Sequence, residues 1–276
     1  DLAAHPGDLT SGLLIPGDGK GRARFVARSG GVVAGLPVLR IVATRFGVSD
    51  GFEPRVSDGD RVRPGATIAE ISGAMRPLLA FERTALNFLQ RLSGIATLTH
   101  RFVEAVKGTR SVILDTRKTT PGWRALEKYA VRCGGGRNHR FGLFDAVMIK
   151  DNHLAWLASL GRNDPIGDAI QSARAGIAQG TLIVVEVDTL EQFDRALGSG
   201  PDVILVDNLG PERLAEAVRR RDAKAPHVLL EASGGVTLET VASLAETGVD
   251  RISVGALTHS APALDVGLDF DRSTPA

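Results

Sequence analysis

From about residue 110 onward the chain repeats one pattern. Short apolar runs each end in polar residues: "SVIL" before Asp115-Thr116-Arg117-Lys118, "AVMI" before Lys150-Asp151-Asn152-His153, and "LIVV" before Glu186-Val187-Asp188. "VILV" then precedes Asp207-Asn208, "VLL" precedes Glu231-Ala232-Ser233-Gly234-Gly235, and "RISV" precedes Gly255-Ala256-Leu257-Thr258-His259. The six runs stand mostly 20 to 35 residues apart, which leaves room for a helix in each interval. Thr189 and Thr237 are suited to cap such helices, and Gly180, Gly198 and Gly248 to end them. Repeated β–α units require parallel strands joined by right-handed crossovers. No early GxGxxG and no mark of a reversal in strand order is present, so an open, incomplete parallel α/β barrel is expected rather than a doubly wound sheet.

The chain before this region has a different grammar. Residues up to about 75 read as short strands between turns, with Asp58-Gly59 and Pro64-Gly65 as hairpin signals. "RPLLAFERTALNFLQRLSGIATLTHRFVEAVKG" follows, with apolar residues at helical spacing and an expected break at Ser93-Gly94. At 276 residues and 43% hydrophobic, the chain can bury a large core. A net charge of +1 argues against a nucleic-acid or membrane-surface binder, which needs a wide basic face. The single cysteine, Cys133, rules out an intrachain disulfide and fits a reducing cytoplasm. No apolar run approaches the ~18 residues of a membrane span, and no secretory signal opens the chain. Because the sequence starts with Asp rather than Met, some N-terminal residues are expected to be missing.

In a barrel, the polar tails of all six runs share the carboxyl-end face, where such folds build their sites. Between Asp115 and Lys150 there are eight Lys or Arg residues and three acids, a local enrichment in a nearly neutral chain. Two like charges ~6 Å apart repel by roughly 3 kcal/mol at an effective dielectric of ~20. Gathering Arg117, Lys118, Arg140 and Lys150 at one mouth is therefore costly unless a small, strongly anionic ligand binds there. The bland reading is that they are solvated or pair with Asp115, Asp145 and Asp151. Ser233-Gly234-Gly235 and Gly255-Ala256 follow the last two runs, and glycine-rich turns at these places suit phosphate. Glu186 and Asp207, each closing a run, suit Mg²⁺ held through water, ion pairing with the lysines, or stabilisation of a developing carbocation. His139, His153 and His259 show no metal-ligand spacing, and hydrogen bonds from His139 or His259 to an anion fit better. Cys133 reads as a packing residue.

"DTRKTTPGWRALEKYAVRCGGGRNHRFGLFDAVMIKDNH" strongly resembles the central signature of the quinolinate phosphoribosyltransferase family. The similarity extends to "GDLTS", "ERTALNFLQRLSGIAT", "VEVDTLEQ", "ILVDN", "LEASGGV" and "SVGALTHS", nearly the whole chain, and is poorest over residues 155–180. It implies Mg²⁺-dependent transfer of phosphoribose from phosphoribosyl pyrophosphate to the ring nitrogen of quinolinate. Pyrophosphate and CO₂ leave, and nicotinate mononucleotide forms on the de novo route to NAD. By motif matching, Thr116, Arg117, His139, Arg140 and Lys150 would line the quinolinate pocket. Arg83 would join them across the interface of a homodimer or larger assembly. Lys118 would lie near the pyrophosphate, and Glu186 and Asp207 would face ribose and metal. Ser233, Gly234, Gly235, Val254, Gly255, Ala256 and His259 would hold a phosphate. The resemblance also implies a mixed α/β N-terminal domain over 1–108, the barrel over 109–260, and a tail over 261–276 returning to the first domain. One departure is the start, where the helix expected before "GDLTS" is largely absent.

Three rival readings stay open. A same-fold relative could act on a different acceptor, with nicotinate a weaker candidate because one carboxylate does not require so many cations. A barrel could bind phosphate ligands without turnover. "SDGDRVRPGATIAEISG" also looks like a biotinyl or lipoyl carrier hairpin, but the carrier lysine expected at a hairpin tip just after it is lacking, the only cation near there being Arg76.

Overall fold

The computed structural model describes residues 8–271. These divide into two compact units: one holds the residues up to 100, 125–135 and those from 261 onward, the other 101–124 and 136–260. The last residues of the expected tail, 272–276, and Gly7 of "GDLTS" lie outside the described residues.

In the first unit, α1 (Leu9–Leu14) begins where Asp8 accepts the Ser11 N–H at 3.1 Å. The chain continues through β1 (Lys20–Ala27), β2 (Gly31–Val32), α2 (Leu36–Arg45), β3 (Glu53–Pro54), β4 (Arg61–Val62), β5 (Thr67–Ala74) and α3 (Met75–Ala105). The final strand, Val266–Phe270, pairs antiparallel with β1, which pairs with β5, which pairs with β3. Period-two alternation puts Ala23, Phe25 and Ala27 of β1 into the core, where Phe25 meets Phe81 edge-on at 6.0 Å.

Two local readings change here. Helix α2 lies inside the stretch read as strands and turns. Pro37 occupies its first turn, and its leading N–H groups are met from a distance: Asp58 accepts from Gly35 at 2.9 Å and Leu36 at 3.1 Å. That cap is 22 residues away in sequence, so no local signal announces it. Asp58 also accepts from the Tyr129 hydroxyl at 2.7 Å; burial first, then this bond, pushes the Tyr129 phenol above its ordinary value. The second change is at Ser93-Gly94, which does not break α3. The Ser93 hydroxyl is buried and accepts from Ala34 N–H at 3.0 Å. A Cβ on Gly94 would stand 2.1 Å from the Pro262 carbonyl oxygen, so this glycine lets another backbone approach the helix.

In the second unit all six apolar runs become strands: β6 (Val112–Leu114), then after α4 (Arg124–Cys133) β7 (Val147–Ile149), and after α5 (Asp151–Ser159) and α6 (Pro165–Gly176) β8 (Ile183–Val187). Next come α7 (Leu190–Ser199), β9 (Val203–Asp207), α8 (Pro211–Lys224), β10 (Leu229–Ser233), α9 (Val241–Glu246), β11 (Arg251–Ser253) and α10 (Ala256–His259). Most of α4 belongs to the first unit. The strands form one parallel sheet in the order β6-β11-β10-β9-β8-β7. Among the described residues β6 and β7 do not pair, so this is the expected open parallel α/β barrel. Residues 137–139 partly occupy the seam, because Arg137 bridges Leu114 in parallel fashion. Thr189 caps α7 as expected, accepting from Gln192 at 3.1 Å. Thr237 does not cap α9: Thr237 to Thr240 form a turn, and the helix starts at Val241. Gly200, in the left-handed region at φ 70°, ends α7 in place of Gly198. Among the described residues no helix is long and apolar enough to cross a membrane.

Because the Gly94 clash is with backbone rather than a movable side chain, Gly94→Ala is expected to cost about 1–3 kcal/mol. A lowered urea midpoint at unchanged m-value would register it.

Candidate active site

Inward-facing side chains of the second unit surround a cavity of about 260 Å³ at the carboxyl ends of the strands. Register explains who meets whom. Glu186 and Glu231 both stand opposite Leu205, while Asp207 stands opposite Ser233 one inward step further along. Thus Glu186 and Asp207, on neighbouring strands, face the same space although 21 residues separate them. Thr116, Arg117 and Lys118 reach it from the loop after β6, and Lys150 from the end of β7. His139 and Arg140 enter from the seam.

The seam segment is held by a buried carboxylate. Asp115 has no exposed surface and accepts from His139 N–H at 2.8 Å and Asn138 Nδ2 at 2.6 Å. Arg137 N–H bonds Ile113 O at 2.9 Å and Asp115 N–H bonds Arg137 O at 3.2 Å, a short ladder that continues β6. Asp115 therefore organises the mouth through the segment it holds. Arg124 joins two loops by donating to Thr119 Oγ1 at 3.1 Å, to Phe141 O at 3.2 Å and to Arg117 O at 3.4 Å.

The cations are held at a cost. Burial, and then the nearby Arg117 charge, pull the Arg140 guanidinium below its ordinary proton affinity, partly offset by Asp145. An anion between the two guanidiniums would relieve that repulsion. Lys150 contacts Glu186 directly, so one cation of the mouth is already paired. Lys118 is tied through its backbone: its N–H donates to Thr116 Oγ1 at 3.0 Å, and its carbonyl accepts from Thr258 Oγ1 at 2.7 Å.

Of the expected phosphate residues, Ser233 lines the cavity. Gly234, at φ 93°, sits against the preceding turn: a Cβ there would stand 2.1 Å from Asn208 Oδ1 and 2.9 Å from Asn208 N. Asn208 is itself left-handed (φ 55°) and donates to Asp207 Oδ2 at 2.7 Å, so the Asp207 and Ser233 turns pack as one unit. Gly235 follows at φ 57°. Val254, Gly255, Ala256 and His259 do not line the cavity itself. Gly255 lies between it and His259, since a Cβ there would meet His259 Nε2 at 3.1 Å and Lys118 Cδ at 3.2 Å. Arg83 is exposed on α3, in the first unit. His153 is used locally, its Nδ1 accepting the Lys150 N–H at 2.9 Å at the start of α5. Among the described residues no group of three or more His, Cys, Asp or Glu could cage a metal. Two carboxylates on one cavity suit a cation that keeps water and substrate oxygens as ligands.

Sequence reasoning passed over Glu231 and Ser253 at the cavity floor. Their signal was present: Glu231 follows an apolar run as Glu186 does, and inward alternation from Ser233 selects it. Asp115 follows an apolar run in the same way, but nothing local tells that it holds the 138–139 main chain; Arg124 carried no such signal.

Comparison with known proteins now bears on the chain. Residues 8–93 match the model for "Quinolinate phosphoribosyl transferase, N-terminal domain", and residues 95–269 match that for its C-terminal domain. The chain belongs to the quinolinate phosphoribosyl transferase family. It is similar to the nicotinate-nucleotide pyrophosphorylase [carboxylating] of Mycobacterium leprae, 48% identical over 266 residues and 95% of this chain and 91% of that one. A probable enzyme of the same name from Bacillus subtilis is 43% identical over 97% of this chain and 89% of its own. The crystal structure of nicotinate-nucleotide pyrophosphorylase from Ehrlichia chaffeensis superposes with a TM-score of 0.88 at 37% identity, covering 98% of this chain and 94% of that one. The antiparallel first unit and open barrel described above are thus the architecture of a quinolinate phosphoribosyl transferase.

Gly234 combines a left-handed backbone with a contact no side chain can share. Gly234→Ala is expected to cost about 1–3 kcal/mol and to loosen the Asp207 turn, seen as faster amide exchange at Asn208 than elsewhere in the barrel.

Proposed function

We propose that the protein transfers phosphoribose from phosphoribosyl pyrophosphate to the ring nitrogen of quinolinate with loss of CO₂, giving nicotinate mononucleotide and pyrophosphate. One observation carries the reading: Arg117, Lys118, Arg140 and Lys150 share a single cavity with Glu186, Asp207 and Ser233. Family membership and the names of the relatives support it.

The division of labour follows from the chemistry of each group. Quinolinate is a planar dianion, and guanidinium forks at Arg117 and Arg140 match carboxylates two bonds at a time. Thr116, His139 and Lys150 complete its pocket. Lys118 sits beside the departing pyrophosphate, and the Ser233-Gly234-Gly235 and Val254-Gly255-Ala256 turns, with His259, hold phosphate. As the ribose carbon parts from pyrophosphate it gains positive charge, which Glu186 and Asp207 stabilise from fixed positions. When bound, Mg²⁺ would be held by the same two carboxylates through water and would neutralise pyrophosphate oxygens. The new bond to nitrogen makes the ring cationic. The bond from C2 to its carboxylate then breaks, its electron pair passes toward that cation, and a proton takes the vacated position. The protein positions the ring and excludes water while this happens.

The working form we propose is a cytoplasmic homodimer in which Arg83 of one copy completes the pocket of the other. Quinolinate and nicotinate offered in parallel, with phosphoribosyl pyrophosphate and Mg²⁺, should give nicotinate mononucleotide and CO₂ from quinolinate alone. Turnover of nicotinate but not quinolinate by the folded protein would overturn the assignment. Arg140→Lys keeps charge but loses the fork. The loss of a charge-assisted bond, about 1.5–3 kcal/mol, should raise the quinolinate KM by about 10- to 100-fold and leave the phosphoribosyl pyrophosphate KM nearly unchanged.

A further inference from the structure

A carboxylate at the floor of an anion-binding cavity needs a reason. Glu231 has no exposed surface, yet it lines the cavity from the middle of β10. Its Oε1 accepts from the Ser253 hydroxyl and lies 3.1 Å from His139 Nε2. Its Oε2 is buried and has no hydrogen-bond partner among the described residues. A buried acceptor left unmet is costly, so such a group persists where it serves the site.

The surroundings indicate what it does. His139 Nδ1 accepts the backbone N–H of Arg140 at 2.7 Å. A nitrogen that accepts carries no proton, so the imidazole proton resides on Nε2, the atom facing Glu231. The ring is bonded on one edge by the Arg140 main chain, and its other edge stands 3.1 Å from the Glu231 carboxylate that Ser253 meets. Asp115 fixes the His139 main chain as well. Arg140 leaves this anchored ring directly, and its Nη1 also bonds Ala146 O at 3.1 Å. The contacts run from Ser253 through Glu231 and His139 to the Arg140 backbone, all within the second unit.

We propose that Glu231 is a positioning residue of the acceptor pocket: with Ser253 it holds His139 as the Nε2–H tautomer, and through that ring it sets the direction of Arg140. The proposal rests on reading this cavity as the quinolinate site. Glu231 does not touch the acceptor carboxylates, which its charge would repel from the floor. It thereby turns them toward Arg117, Arg140 and Lys150.

The test uses the full chain with Glu231→Gln, which keeps the shape and removes the charge. Quinolinate KM should rise about 10-fold or more, phosphoribosyl pyrophosphate KM should stay within about twofold, and the unfolding midpoint should change little. Nitrogen-15 NMR of the His139 ring, without substrate, should show the Nε2–H tautomer in the parent and a mixture in the variant. Unchanged KM values with an unchanged tautomer would overturn the proposal. So would parallel rises in both KM values with a large fall in the unfolding midpoint, the mark of a purely structural role. If Glu231→Gln does not fold, Ser253→Ala, which leaves the charge but loosens it, should shift the same readouts in the same direction; no shift would overturn the proposal equally. Failure of the parent to turn over quinolinate would refute the functional reading, whereas the tautomer comparison still decides whether Glu231 holds His139.

Discussion

The site depends on one buried carboxylate and the segment that it holds. Asp115, at the end of β6, accepts from the His139 main chain and the Asn138 side chain and so ties the seam segment to the barrel. An open barrel has a gap between its end strands, and a gap exposes ladder groups that must find partners. Here the 137–139 segment supplies partners to β6, and the same segment delivers His139 and Arg140 to the cavity. Pairing with β6 at the seam and building the pocket are one structural act.

Electrostatics follow from that placement. Burial first, and then the neighbouring Arg117 charge, hold the Arg140 guanidinium below its ordinary proton affinity. Fixed charges that repel one another are prepared to bind an anion without rearranging. The acidic side is equally fixed: Glu186 and Asp207 come from adjacent strands in a register set by backbone hydrogen bonds. Lys150 contacting Glu186 links the two halves of the site. Cations and carboxylates thus line one small space.

Much of this was legible in the chain. The six apolar runs became the six strands of the second unit because fully buried parallel strands read as unbroken apolar segments. Their polar tails converged because parallel strands all end at the same face. Local signals failed where the partner was distant or where a tight turn competed. Helix α2 takes its cap from Asp58, Gly94 serves Pro262 far along the chain, and Thr237 lost its expected helix start to a turn closed by Thr240. In the first two cases the deciding contact was invisible to a window of neighbouring residues, whereas the Thr237 turn is a local competitor of the helix start.

By itself the sequence determined the strand repeat, the face on which chemistry gathers, and the cations, carboxylates and glycines available there, since period and composition are local properties. Tertiary structure alone decided that the 137–139 segment pairs with β6 at the seam, and that Asp115 holds it there. It also decided that Glu231 lies beneath His139, because register between strands and the satisfaction of buried polar groups are settled only when distant segments meet.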